Sequence, residues 1–375
     1  MLLKGVRILD LSNLLPGPFC TLFLADLGAD VIKVESLNGD PMRYFESIRK
    51  NMPSPYFLAL NRNKRGIALN LKSKEGKEIF MKLAKNADVI IEGFRPGKLD
   101  ALGIGFKDAK KINPDIVYCS ITGYGQKGSY KNKAGHDLNY AALGGMLGAI
   151  SSKPFVPGIQ IADVGSGLIA AFSIVSALLH REKNGKGCHI DVPVLDGVLS
   201  IIGMHIAYRS ASENKKTLLS GSKACYNVYE TKDKKFVSLG AVEHKFWNAF
   251  CNAVKKDDLI KKQFVSNAKA MEEMRVLFKT KTLKEWLQLN DKHDFCCEPV
   301  KKINQVINEN YFKQRKMLVN LDGITQVALP VVFSSFKKNS YSSAPKLGNH
   351  TSKILVSIVY NKKQIKELKI HGVIL

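Results

Sequence analysis

Apolar and polar positions in the first third of the chain fall into two alternating rhythms. VRILDL (6–11), ADVIKVE (29–35), GIALNLK (66–72), DVIIEGF (88–94) and DIVYCSITGYG (115–125) are short, nearly continuous apolar runs. Such runs suit strands buried on both faces. Between them lie PFCTLFLADLG (18–28), with apolar residues at helical spacing and a closing glycine, and the helical KEGKEIFMKLAKNA (74–87). The alternation predicts a parallel sheet covered by helices on both sides. Ligands of such sheets bind beyond the carboxyl ends of the strands, where FRPG (94–97) and TGYGQ (122–126) fall.

Further along, GLIAAFSIVSALLHREKNGKG (167–187) reads as a long helix. Its apolar residues run nearly all round, which predicts burial. His180 to Lys183 mark its wetter end and Gly185 its stop. HIDVPVLDGVLSI predicts a strand followed by a helix. Composition turns polar near 210–222, and ACYNVYETKDKKFVSLGAV then reads as a hairpin around Lys232–Lys235. Helical patterns follow in HKFWNAFCNAV and LKEWLQLN. The last fifty residues look irregular until NKKQIKELKIHG. The expected organisation is a large α/β domain from 1–200 and 330–375, a linker at 201–224, a small α+β domain at 225–312 and a return linker at 313–329. No internal repeat is visible.

The length of 375 residues favours two domains. The chain is 45% hydrophobic and 24% charged, as in soluble globular proteins. No apolar run approaches the roughly 18 residues that span a bilayer. MLLKGVRILDLS lacks the apolar core of a signal peptide, so a cytoplasmic location without membrane insertion is expected. The seven cysteines are scattered and form no disulfide framework, and CxxC and HExxH are absent. The net charge of +24 points to a phosphorylated ligand, to nucleic acid, or simply to a lysine-rich surface. The basic residues are spread along the chain without any recognised nucleic-acid-binding motif, so no nucleic-acid partner is expected.

GxGxxG, GxxxxGK[ST] and GxSxG are all absent, which argues against those nucleotide cradles and that serine nucleophile. Three ionisable residues stand at element ends. Asp163, in QIADVGSGLIAAF, directly precedes the long helix and reads as an N-cap or as a carboxylate offered to a ligand. Gly165 and Gly167 beside it would let a ligand approach the backbone. His136, in AGHDLNY, reads as a solvated loop histidine or as an acid/base. Glu243 follows FVSLGAV and precedes a helix, as a cap or first-turn acid. Spacing alone does not bring the three together.

Taken together, LKGVRILDLSNLLPGPFCTLFLADLGADVIKVE (2–35), NRNKRGIALNLKSKEG (61–76), DVIIEGFRPGKLDALGIG (88–105), AGHDLNY, ADVGSGL, HREKNGKGCHIDVPVLDG (180–197) and GAVEHKFW (240–247) resemble the family III CoA-transferases. That group also contains formyl-CoA transferase and α-methylacyl-CoA racemase. The resemblance implies an interlocked homodimer, with a large doubly wound domain and a smaller α+β domain. It matches Asp163 to an aspartate that transferases use as a nucleophile and racemases as an acid/base. His136 in Gly135–His136–Asp137, and Glu243 in Gly240–Ala241–Val242–Glu243, match the histidine and glutamate that racemases add.

The resemblance thus implies inversion of the carbon α to an acyl-CoA thioester, with CoA transfer through Asp163 as the alternative. Inversion removes a weakly acidic proton and returns one to the opposite face. It therefore needs two flanking acid/base groups, one protonated and one not. The enolate between them needs hydrogen-bond donors, for which the backbone at Gly165 and Gly167 is a candidate. Glu243 would orient the His136 ring. Arg95, Gly135, Asp137 and Tyr140 are implied contacts of CoA, which enters as substrate; no metal or nicotinamide cofactor is implied. The pattern departs from racemases at Ser36 and Ala101, where arginines are expected, leaving Lys33, Arg62, Lys64 and Lys98 as basic replacements. LSGSKACYNVY (219–229) also differs from the racemase LDGGAPFY, in a segment expected to meet the acyl group.

Overall fold

The computed structural model describes residues 1–48, 52–151, 153–212, 217–265, 267–335 and 340–375. The chain divides into two compact units. The larger holds 1–146, 156–201 and 313–375; the smaller holds 147–155 and 202–312.

The apolar runs of the larger unit become six parallel strands: β1 (Arg7–Asp10), β2 (Asp30–Glu35), β3 (Arg65–Ala68), β4 (Val89–Glu92), β5 (Val117–Thr122) and β6 (His189–Pro193). Their order is β3-β2-β1-β4-β5-β6, a doubly wound sheet whose direction of winding reverses between β1 and β4. Ile8, Leu9, Ile67, Val89, Ile90, Ile91 and Val117 are fully buried. Each such side chain contributes about 1.5–3 kcal/mol by leaving water, which explains why these runs contain so few polar residues.

The long apolar helix is Ile161–Asn184, ended by Gly185 in the left-handed conformation at φ +65. It starts six residues before the sequence reading placed it, so Asp163 lies in its first turn and Gln160 is the N-cap. It is also less buried than its composition implied. Ala170, Ile174, Ala177 and Leu178 face inward, whereas Leu168, Phe172, Val175 and Leu179 form an exposed stripe, with Phe172 74% accessible. By length and mean hydropathy this helix could cross a bilayer, contrary to the expectation that no segment approaches that criterion. Here it lies against the Pro16–Asp26 helix, β5 and the Val194–Ile201 helix.

The C-terminal segment is more ordered than its sequence suggested. β10 (Leu318–Leu321) and β11 (Ile324–Val327) form a hairpin within the predicted return linker. Asp322 and Gly323 take the positive φ values that such a tight turn demands. The Thr351–Ser357 helix packs beside β3, and Asn70 N–H donates to the Val373 carbonyl at 2.8 Å.

The smaller unit carries a three-stranded antiparallel sheet, β7 (Tyr226–Glu230), β8 (Phe236–Gly240) and β9 (Cys297–Pro299). The hairpin is where the alternating pattern put it. Trp247, Phe250, Phe278, Trp286 and Phe295 are fully buried around Tyr229, which stacks on Phe278 with ring centroids 4.3 Å apart. Both indole N–H groups are satisfied, by the carbonyls of Leu259 and Phe278. The Gly203–Ala211 helix occupies the start of the segment read as a linker; residues 213–216 of that segment lie outside the described residues.

Candidate active site

A groove of about 420 Å³ opens beyond the carboxyl ends of β4 and β5. One wall is Gly93, Phe94, Arg95 and Pro96; the other is Lys131, Lys133, Gly135, His136, Asn139 and Tyr140. Tyr124 packs edge-on to Tyr140, centroids 5.2 Å apart, and Tyr140 donates its hydroxyl hydrogen to the Gly135 carbonyl at 2.7 Å. Arg95, Gly135, His136 and Tyr140, singled out in separate sequence segments, therefore share one groove. Lys131 and Lys133 were not singled out, whereas Tyr124 belongs to the TGYGQ segment at the end of β5. The signal for the two lysines was the basic, aromatic stretch KGSYKNK just before AGHDLNY, which reads equally well as solvated loop. Lys133 lies over the Tyr124 and Tyr130 rings, giving the wall a positive, partly aromatic face.

His136 is the N-cap residue of the Asp137–Leu143 helix, exposed, with its backbone N–H donating to Asn139 Oδ1 at 3.0 Å. These bonds fix the main chain of His136 at the groove edge, where its side chain also lines the groove. Asp137 turns inward, and its carboxylate accepts the Asp163 backbone N–H at 3.0 Å. That bond joins the start of the Ile161–Asn184 helix to the loop carrying His136. Asp163 is half-buried, and no donor among the described residues reaches its carboxylate. Burial, and then the negative charge of Asp137, push its pKa up to about 7. The carboxyl thus exchanges protons near neutral pH, whereas an ordinary aspartate is fully ionised there. Tyr140 is raised to about 12 by burial and by the nearby Asp163.

Two sequence expectations need correction. Gly165 and Gly167 do not open a path for a ligand. A Cβ at Gly165 would meet Ile201 Cδ1 at 2.5 Å, and one at Gly167 would meet the Pro16 carbonyl at 2.7 Å. Both glycines allow close packing inside the unit. Their N–H groups lie beyond the first turn and are spent within the helix, so they are not free to donate to an enolate.

Lys64 is likewise not a CoA contact. Its ammonium is fully buried and bonds Asp10 at 3.1 Å, Thr21 at 2.7 Å, Asn61 at 2.9 Å and the Pro18 carbonyl at 3.0 Å. Lys33 is paired with Asp40 at 2.9 Å, and Arg62 with Asp26 at 2.6 Å. All three are structural cations with no face toward a ligand. Of the proposed basic replacements only Lys98 is exposed.

Glu243 belongs to the smaller unit. It is the exposed N-cap residue of the His244–Ala253 helix; its carbonyl accepts the Phe246 and Trp247 N–H groups, and its side chain makes no capping bond. Its carboxylate is therefore uncommitted within that unit.

Comparisons with known proteins agree with this architecture. The profile of CoA-transferase family III matches residues 3–351. A succinyl-CoA:glutarate CoA-transferase of Mus musculus is 34% identical over 99% of this chain and 90% of its own. An alpha-methylacyl-CoA racemase of Homo sapiens is 30% identical over 98% of this chain and 96% of its own. Among solved structures, a CAIB/BAIF family protein from Brucella suis superposes with a TM-score of 0.84 at 29% identity, covering 95% of this chain and 99% of that one. This similarity, extending over nearly the whole chain, leads to one conclusion: the chain belongs to CoA-transferase family III.

Proposed function

We propose that this protein is a racemase of 2-methylacyl-CoA thioesters, exchanging the proton on the carbon α to the thioester between two faces. The observation that carries the reading is the half-buried Asp163 carboxyl, raised to about 7 and tied through Asp137 to the loop that holds His136. General acid/base work is most efficient when the group's pKa lies near the operating pH. One proton shared between a carboxyl and an imidazole gives the enzyme two equivalent forms. His136 removes the α-proton while Asp163 delivers one from the other side, and the roles reverse for the opposite enantiomer. The role implied for Glu243, orienting an imidazole as a carboxylate does in other acid/base pairs, belongs to the same reading. Arg95, Lys131 and Lys133 receive the phosphates of CoA along the groove. A second copy of the chain covers the exposed Leu168–Leu179 stripe, since contiguous exposed apolar surface marks an interface.

Incubation of a 2-methylacyl-CoA in deuterated water without an acceptor acid tests the proposal. α-Deuterium uptake with loss of optical purity is expected; no uptake across a range of acyl chains removes it. CoA transfer through Asp163 is the second reading, favoured by the CoA-transferase names among the relatives. It predicts CoA moving to a second carboxylic acid and an Asp163 acyl intermediate trapped by hydroxylamine.

A further inference from the structure

Arg95 borders two spaces. One is the groove; the other is a recess of about 30 Å³ lined also by Glu92, Asp100, Tyr118, Gln126 and His189. Glu92 closes β4, is 5% accessible, and accepts the Phe94 N–H at 2.7 Å, so it holds the start of the turn that carries Arg95. Ser120 of β5 hydrogen-bonds Glu92, and its hydroxyl lies 2.9 Å from His189 Nε2. Asp191 of β6 adds negative charge and accepts the Gln126 N–H at 2.9 Å, while Gln126 Nε2 is buried without a partner. The recess therefore places Glu92 and Asp100 along a space that Arg95 also lines, with Asp191 adding negative charge nearby.

We propose that Glu92 is a positioning residue whose proton sets how firmly Arg95 is available to phosphate in the groove. Ionised, Glu92 draws the guanidinium toward the recess and opposes a polyanion beyond it; protonated, it releases Arg95 outward. Proton uptake at Glu92 is thus coupled to anion binding. Burial, with Asp100 and Asp191 adding to it against the pull of Ser120 and Phe94 N–H, raises the Glu92 pKa to about 7, which places the coupling in the neutral range. This inference rests on the CoA reading of the groove.

The test is calorimetric binding of dephospho-CoA, which lacks the titrating 3′-phosphate, to the native protein and to Glu92→Gln. Glutamine still accepts the Phe94 N–H but carries no charge. Glu92→Gln should bind about fivefold more tightly than the native protein at pH 8 and equally at pH 6. Contributions of His136 and Asp163 cancel in that ratio. The advantage should vanish in an Arg95→Met background. If Glu92→Gln unfolds, Ser120→Ala, which removes a donor to the ionised form, should tighten binding at pH 8 in the same sense. A ratio that is the same at both pH values, or that survives without Arg95, overturns the role of Glu92 alone. Absence of dephospho-CoA binding by the folded native protein at any pH overturns the CoA reading of the groove and this inference with it.

Discussion

Asp10 and Asp163 are both aspartates withdrawn from water in the larger unit, and their pKa values move in opposite directions. Asp10 is the more deeply buried, which by itself raises its pKa. Lys64 and Lys33, with hydrogen bonds from Ser12 and Thr21, outweigh that cost and bring it to about 2. Asp163 is partly accessible, yet it has an acid for a neighbour and no cation, and rises to about 7. Burial costs both carboxylates; the partners decide the sign. The sealed network around Asp10 braces the turn from β1 into the Pro16–Asp26 helix, since Lys33 also bonds the Ser12 carbonyl and Asp40 accepts the Leu14 N–H. The unpaired group is left free to change its proton.

The contrast can be broken most sharply at Asp163. Asp163→Asn removes the exchangeable proton while keeping the shape, and α-deuterium exchange should fall about 10³-fold, measured by mass spectrometry, with the melting temperature unchanged or raised. Lys64→Met should remove the cation that contacts Asp10 directly, leaving Lys33 and the Ser12 and Thr21 hydrogen bonds against its burial. Removing one partner of a buried pair costs about 3–5 kcal/mol, to be read from urea unfolding at pH 7. The sign with pH follows from the depressed pKa. The contribution of Asp10 is complete above about pH 4 and is lost as pH falls toward 2, and this acid-labile part should shrink in Lys64→Met.

His136→Gln should lower exchange about 10²-fold while leaving any CoA transfer through Asp163 in place, which separates the two readings of the family. In the native enzyme the rate should depend on pH, because delivery from Asp163 needs its proton. It falls at alkaline pH as the Asp163 proton is lost, about pH 7. The smallest effect should come from Asp137→Asn. Its amide oxygen still accepts the Asp163 N–H, but the charge is gone. The alkaline limb should move to lower pH by a few tenths of a unit, measured in kcat/KM profiles.

The sheet was legible because strands buried on both faces leave continuous apolar runs that no other element of that length requires. The groove was half legible: FRPG and AGHDLNY stand out as segments, but only folding puts Arg95 opposite His136. Lys64 was misread for a physical reason. A run such as NRNKRG looks solvated, since its counter-charges, Asp26 and Asp10, come from other parts of the sequence. Gly165 and Gly167 were misread similarly, because a glycine that admits a neighbouring element and one that admits a ligand look alike until the neighbour is known. The β10–β11 hairpin did carry a signal, Asp322–Gly323 between apolar residues, within a stretch whose polarity suggested a linker.

The bridge between Leu69 and Ile374 has a consequence for biosynthesis. Ile354, Leu355, Val373 and Ile374 belong to the same buried cluster as Ile67, Leu69 and Ile79. That part of the core is therefore open until the ribosome has released residues some three hundred positions downstream. The smaller unit, nearly all of it from one uninterrupted stretch, emerges whole before then. Vectorial synthesis should thus complete the second unit first and leave the β3 edge of the first exposed to chaperones until the last helices arrive.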